Sequence, residues 1–274
     1  MEGNLYQLIR SRKGRPFADG LVASIFRQTV SGIHHIHVSG YFHRDMKPEN
    51  LLVTTIGLHN YQPVSPITPP NVSSEKDVVV IIKLADFGSA RETKSEPPYT
   101  EYVSVRWYWA PEVLLRGRDY SNPVDLWAFG TIMAEVVSLQ PLFPGQGEVD
   151  QLARICGFLG DPSDEYGQDY RGKPLGGGTW PRGIETARSI GFAFPKVALS
   201  IPPASTTVLT DRQARPKDLN SHFDRTVPVK LVECIADLLK YDPDARLTAR
   251  QCLDHPYLAE TMPRDDLPIL IYGR

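Results

Sequence analysis

The sequence is poor in cysteine, has no long apolar run and carries no marked excess of charge of either sign. Each shortage closes off a class of protein. Cys156, Cys234 and Cys252 lie far apart and fit no C-x-x-C metal pattern, so they read as small buried side chains in a reducing compartment. No apolar run approaches the roughly 20 residues that a membrane-spanning helix requires. The first residues also lack the basic-then-apolar order of a secretory signal. An intracellular protein, in cytoplasm or nucleus and without a membrane partner, is expected. A net charge of −2 argues against a nucleic-acid partner held by bulk electrostatics. Glycine is scarce in one informative place: Gly3, Gly14, Gly20, Gly32 and Gly40, all ahead of residue 43, form no G-x-G-x-x-G. The only G-G-G run, Gly176–Gly178, falls far downstream. With 274 residues, 41% of them hydrophobic and 23% charged, the chain can still bury one large core.

What is present is concentrated in a few short runs. His43-Arg44-Asp45-Met46-Lys47-Pro48-Glu49-Asn50 is followed by Asp86-Phe87-Gly88 and then by Ala110-Pro111-Glu112. Phosphoryl transfer requires a carboxylate to accept the hydroxyl proton, a cation near the γ-phosphate, and oxygen ligands that hold Mg²⁺ between the phosphates. Asp45, Lys47 and the pair Asn50 and Asp86 supply those three requirements in that order. So many fixed positions in one order are the signature set of a protein kinase.

The hydrophobic pattern organises the rest. Val22, Ile25, Phe26, Val30, Ile33 and Ile36 recur at helical spacing and predict a helix over 21–37, closed by Gly40. His34, His35 and His37 near its end read either as a metal cluster or as polar rings placed at a helix C-terminus. Leu51–Thr54 and Val78–Leu84 read as strands. Between them, residues 55–77 carry Pro63, Pro66, Pro69 and Pro70 and read as an irregular insertion at a hairpin tip. Val124–Val137 is apolar nearly all round and predicts a buried central helix, with Asp125 close to the N–H groups of its first turn. Residues 162–203, rich in Gly and Pro, read as an irregular insertion. Leu231–Leu239 has helical spacing, and Thr248-Ala249-Arg250-Gln251 is a capping-box pattern opening a final helix. The tail 259–274 carries no signal until the apolar run Leu267–Tyr272.

These stretches resemble the large lobe of a eukaryotic Ser/Thr protein kinase of the group that contains the cyclin-dependent and mitogen-activated kinases. Within that group the chain is similar to the male-germ-cell-associated kinases and the fungal meiosis-inducing kinases. Gly3-Asn4-Leu5-Tyr6-Gln7-Leu8, Pro97 through Ser104, and Trp180-Pro181 through Phe192-Ala193-Phe194-Pro195 carry the likeness. The resemblance runs from a hinge at Met1 to about Leu258. It implies a kinase domain over 1–258 and a mainly α fold: a C-terminal kinase lobe with a small β element near the catalytic loop, present without its small lobe. It also implies ATP and Mg²⁺ as cofactors, protein substrates phosphorylated on Ser or Thr beside a proline, an upstream activating kinase, and a role in signalling or meiotic control. Asp45 would be the base and Lys47 the cation supporting the γ-phosphate. Asn50 and Asp86 would ligate the metal, while Asn4, Glu49 and Leu52 would line the nucleotide site. Glu112 would pair with Arg246, and Asp125 would have a structural role. Thr100 and Tyr102 match a dual phosphorylation site, with Arg44, Arg91 and Arg106 as phosphate receivers.

Two positions depart from the family. The usual T-R-W-Y-R-A-P-E reads here Val105-Arg106-Trp107-Tyr108-Trp109-Ala110-Pro111-Glu112. Val105 keeps the shape of threonine but offers no hydroxyl to Asp45 and Lys47. Trp109 removes an arginine that would receive the phosphotyrosine. Together with the missing glycine-rich loop, these departures leave a second reading: a lobe without catalysis that binds partners or substrates.

Overall fold

The computed structural model describes residues 1–56, 79–95, 105–117, 119–163, 165–169, 171–194 and 219–260. Most of the Pro-rich insertion, Thr100 and Tyr102, the end of the 162–203 region and the tail beyond residue 260 lie outside the described residues.

Two helices carry the core. Helix α2 (Asp19–Val38) buries Leu21, Val22, Ile25, Phe26, Val30 and Ile33 along one face. It stops at Gly40, whose φ of +84° is a left-handed conformation that glycine adopts without a Cβ clash. Helix α4 (Pro123–Ser138) opens with proline in its first turn, where a missing N–H costs nothing, and is buried from Val124 to Val136. It packs between α2 and helix α8 (Val229–Leu238). The approach to α8 is so close that a Cβ at Gly130 would lie 2.9 Å from Leu238 Cβ.

The β structure is small and sits beside α2. Strands β3 (Leu51–Ile56) and β4 (Val79–Leu84) pair antiparallel, Leu51 facing Leu84. Strand β1 (Gly3–Asn4) joins the free edge of β3, with Asn4 opposite Leu52. The other edge lies along β4, and Gln28 of α2 covers it. Its amide donates to Val80 O at 2.8 Å and accepts from Ile82 N at 3.0 Å, so that edge is closed to further strands. A second pair, β2 (Tyr41–Phe42) with β5 (Arg91–Glu92), lies on the other side of the catalytic loop.

Several helices lie where no regular element is expected from the sequence. Helix α1 (Leu5–Ser11) is opened by a capping box in which Asn4 and Gln7 exchange side-chain-to-backbone bonds. The short α3 (Pro111–Leu114) starts at the A-P-E run, and α5 (Glu148–Leu159) buries Leu152, Ile155, Cys156 and Leu159. Helix α6 (Pro181–Ser189) corrects the irregular reading of 162–203: glycine-rich flanks hide a helix that starts, as α4 does, with proline in its first turn. Helices α7 (Leu219–His222), α9 (Ala249–Leu253) and α10 (Pro256–Glu260) complete the described elements, with Thr248 and Gln251 forming the expected capping box ahead of α9. No helix among the described residues is long and apolar enough to cross a membrane.

Candidate active site

The loop from His43 to Asn50 is anchored from below by Asp125. Its carboxylate accepts His43 N and Arg44 N, each at 2.8 Å, and the ring of His37 at 2.9 Å. Arg44 sits at φ 72°, a backbone conformation that costs a non-glycine residue energy and persists where its surroundings enforce it. The two Asp125 bonds do that here. The loop is tied sideways to the D-F-G run as well. His43 Nε2 lies 2.9 Å from Ala85 O, Ala85 N donates to Asn50 O at 2.9 Å, and the rings of His43 and Phe87 are 5.1 Å apart.

Two of the expected residues converge on the carboxylate of a third, Asp45. Lys47 Nζ lies 2.7 Å from Asp45 Oδ2, and Asn50 Nδ2 donates to Asp45 O at 2.8 Å and to Asp45 Oδ2 at 3.1 Å. Asp45 and Asn50 are buried, while Asp86 is exposed and in the left-handed region at φ 62°. Because the Asn50 amide nitrogen is committed to Asp45, its carbonyl oxygen is left over. That oxygen and the Asp86 carboxylate have no partner among the described residues. Two unspent hard-oxygen groups fit a small divalent cation such as Mg²⁺. Gly88 keeps that space open, since a Cβ there would come within 3.3 Å of Asp86 Oδ1.

The other expected positions are more scattered. Asn4 spends its side-chain oxygen on the N–H of Gln7, capping α1, and faces Leu52 across the β1–β3 pair. Glu49 follows Lys47 in a short 3-10 turn, with one carboxylate oxygen buried and unbonded. Glu112 and Arg246 form a buried, two-pronged ion pair at 2.5 and 2.7 Å, which Arg246 extends to the carbonyl of Pro123 at 3.2 Å. Arg44 reaches Tyr120 Oη at 2.9 Å, and Arg91 is exposed. Arg106 is shared between Glu148, at 3.8 Å, and the face of Trp109, at 5.5 Å. Val105 is exposed.

One buried pair escaped the sequence reading. Tyr108 Oη donates to Glu135 Oε2 at 2.8 Å, directly beneath the segment that leads into A-P-E. Burial raises the Glu135 carboxyl to about 7, the nearby Glu49 charge pushes the same way, and the Tyr108 bond offsets part of the rise. Burial, with the adjacent Glu135, also raises the Tyr108 phenol far above its ordinary value. The clue available in the sequence was a second acid, after Asp125, in a helix otherwise apolar on all sides.

The sequence profile of the protein kinase domain matches residues 1–258. Among curated proteins, the chain is 39% identical over 257 residues to the human serine/threonine-protein kinase MAK, covering 94% of this chain and 32% of that protein. It is 39% identical over 253 residues to the sporulation protein kinase mde3 of Schizosaccharomyces pombe, covering 92% and 38%. It is 38% identical over 264 residues to a probable serine/threonine-protein kinase of Dictyostelium discoideum, covering 96% and 41%. The first two belong to the branch that the sequence resembles. The chain spans less than half the length of each of these three relatives. The match also corrects the expected fold class. The fold is mainly α with a small sheet, but a C-terminal lobe present without its small lobe is not what a kinase-domain profile running from residue 1 to 258 supports. The missing G-x-G-x-x-G was too narrow a basis for that reading, because one loop motif was set against a pattern distributed over the whole chain. A match of this extent leaves one conclusion: the chain belongs to the protein kinase domain family.

Proposed function

We propose that this chain transfers the γ-phosphoryl group of ATP to serine or threonine hydroxyls of protein substrates. The observation that carries the reading is the convergence of Lys47 and Asn50 on Asp45. Asp45 accepts the hydroxyl proton as the acceptor oxygen attacks, while Lys47 holds the carboxylate in place and meets the charge of the transferring group. Asn50, through its free oxygen, and Asp86 would hold Mg²⁺, which when bound neutralises charge on the phosphates. Positioning supplies most of the acceleration in such a reaction, and the Asp125 anchors position the loop.

The finer reading rests on resemblance. A proline after the acceptor and a role in meiosis or sporulation are supported by the branch and by the printed name of the sporulation kinase. Phosphorylation of Thr100 and Tyr102 by an upstream kinase would switch the enzyme. Thr100 would dominate, because Arg106 is already shared between Glu148 and Trp109. No observation favours the alternative of a binding module without catalysis.

The test is Asp45→Asn, assayed with labelled ATP and a Ser-Pro peptide against its Ser-Ala counterpart. Loss of a base is worth roughly 10²–10⁴ in turnover, and the amide cannot accept the proton. Near-full kcat in the variant would sink the assignment. Equal rates on the two peptides would remove only the proline preference.

A further inference from the structure

Behind the catalytic loop, the C-terminal end of α2, the first turn of α4 and the start of α9 enclose a cavity of 380 Å³. That is within the range of small-molecule sites. Its wall contains the two struts that hold the reacting parts in place. One is His37, bonded through Asp125 to the backbone of His43 and Arg44. The other is Arg246, bonded to Glu112 of the A-P-E run.

The lining is divided by chemistry. Leu126 and Leu247 give an apolar floor and the exposed Val38 lies at the mouth, while His34, His37 and Arg250 bring nitrogen donors to one side. The His34 ring has no hydrogen-bond partner among the described residues, nor has the ring nitrogen of His37 that faces away from Asp125. The His37 side chain is 9% exposed, and that exposure is to the cavity it lines. Arg246 is balanced by Glu112, and Arg250 bonds Asp254 through Nε at 2.8 Å, so only its terminal nitrogens are left to the cavity; Asp244 is the one acid among the lining residues.

We propose that this cavity binds a small amphipathic carboxylate, with the anion beside His34, His37 and Arg250 and the apolar body over Leu126 and Leu247. An anion at the second ring nitrogen fixes the His37 ring from both sides, which tightens the hold of Asp125 on the loop. The site is therefore a rear input to catalytic-loop geometry. Its binding does not depend on the phosphoryl-transfer reading, so the two can fail separately.

Naphthalene-1-acetate is a suitable probe, with 2-(1-naphthyl)ethanol as its neutral counterpart. Calorimetric titration of the whole chain should give saturable binding of the acid, at least tenfold weaker for the alcohol. Arg250→Gln should weaken it at least tenfold, and Val38→Trp, which blocks the mouth, should abolish it. Both side chains are largely exposed, Val38 at 68% and Arg250 at 69%, so the variants should fold. The alcohol comparison needs no variant at all. Bound acid should also slow amide exchange at His43 and Arg44 at least threefold. The site is overturned by absence of saturable binding at millimolar acid, by equal binding of the alcohol, or by binding that neither substitution moves. Unchanged exchange at His43 and Arg44 would overturn the coupling to the loop.

Discussion

The two ends of α4 each bury a carboxylate, and they do so by opposite means. At the N-terminal end Asp125 takes hydrogen bonds from two backbone N–H groups and an imidazole, and Arg246 reaches the same turn through Pro123. Near the C-terminal end Glu135 has the hydroxyl of Tyr108 and a neighbouring Glu49 charge. A helix N-terminus with spare donors welcomes a negative group, whereas the last turn presents carbonyls that repel it. One end therefore serves as a fixed support for the catalytic loop. The other behaves as a titrating group lodged in the core, with its carboxyl raised to about 7. Burial alone does not decide what a buried acid does; the donors around it do.

The sharpest way to break the supporting end is Arg246→Ala. It leaves Glu112 buried without its counter-charge, which costs about 3–5 kcal/mol. Calorimetry should then show Tm lowered by roughly 6–20 °C. A drop of a degree or two would mean that the pair holds nothing.

Asp125→Ala comes next, at about 1–3 kcal/mol for each backbone N–H left without an acceptor. Asp125→Asn retains one carbonyl oxygen and should cost about half as much. Amide exchange at His43 and Arg44 should rise most in the alanine variant. Indistinguishable variants would show that the loop is held by something other than this carboxylate.

The titrating end predicts a smaller and pH-dependent effect. A carboxyl whose folded value lies above its ordinary 4.5 binds its proton more tightly in the fold than in the open chain. Its contribution is therefore complete below pH 4.5 and is lost as pH rises toward 7, with a slope of at most roughly 1.4 kcal/mol per pH unit. Glu135→Gln should flatten that part of the stability curve and make the variant more stable than the parent at pH 8. Urea midpoints at pH 5, 6, 7 and 8 decide it. Parallel curves for the two proteins would remove Glu135 from the account.

Much of the support end was legible from residues alone. The H-R-D-x-K-x-x-N, D-F-G and A-P-E runs gave the positions of Asp45, Lys47, Asn50 and Asp86, and the helical spacings gave α2 and α4 nearly to their ends. Asp125 stood out as an acid beside a helix start. Glu135 did not, because its partner Tyr108 lies 27 positions away and no local pattern links them. Helix α1 opens on Asn4-x-x-Gln7, a capping pattern whose asparagine the resemblance assigns to the nucleotide site instead. Helix α5 was legible, since Leu152, Ile155, Cys156 and Leu159 fall at i, i+3, i+4 and i+7, whereas α6 is buried on too little of its surface to leave a strong stripe.

The anchoring of the loop has a further consequence, for how the chain folds. Asp125 meets His43 and Arg44 across 82 and 81 positions, His37 across 88, and Arg246 meets Glu112 across 134. Closing loops of that length costs entropy before any bond returns it, and chains dominated by such contacts fold slowly. Helices α2 and α4 can form from local interactions, but the backbone of Arg44 has no reason to enter its left-handed conformation until α4 is docked against it. A partly folded chain with most of its helices in place would thus have no ordered reaction centre. Competence for the proposed transfer would arrive only with the final long-range closures.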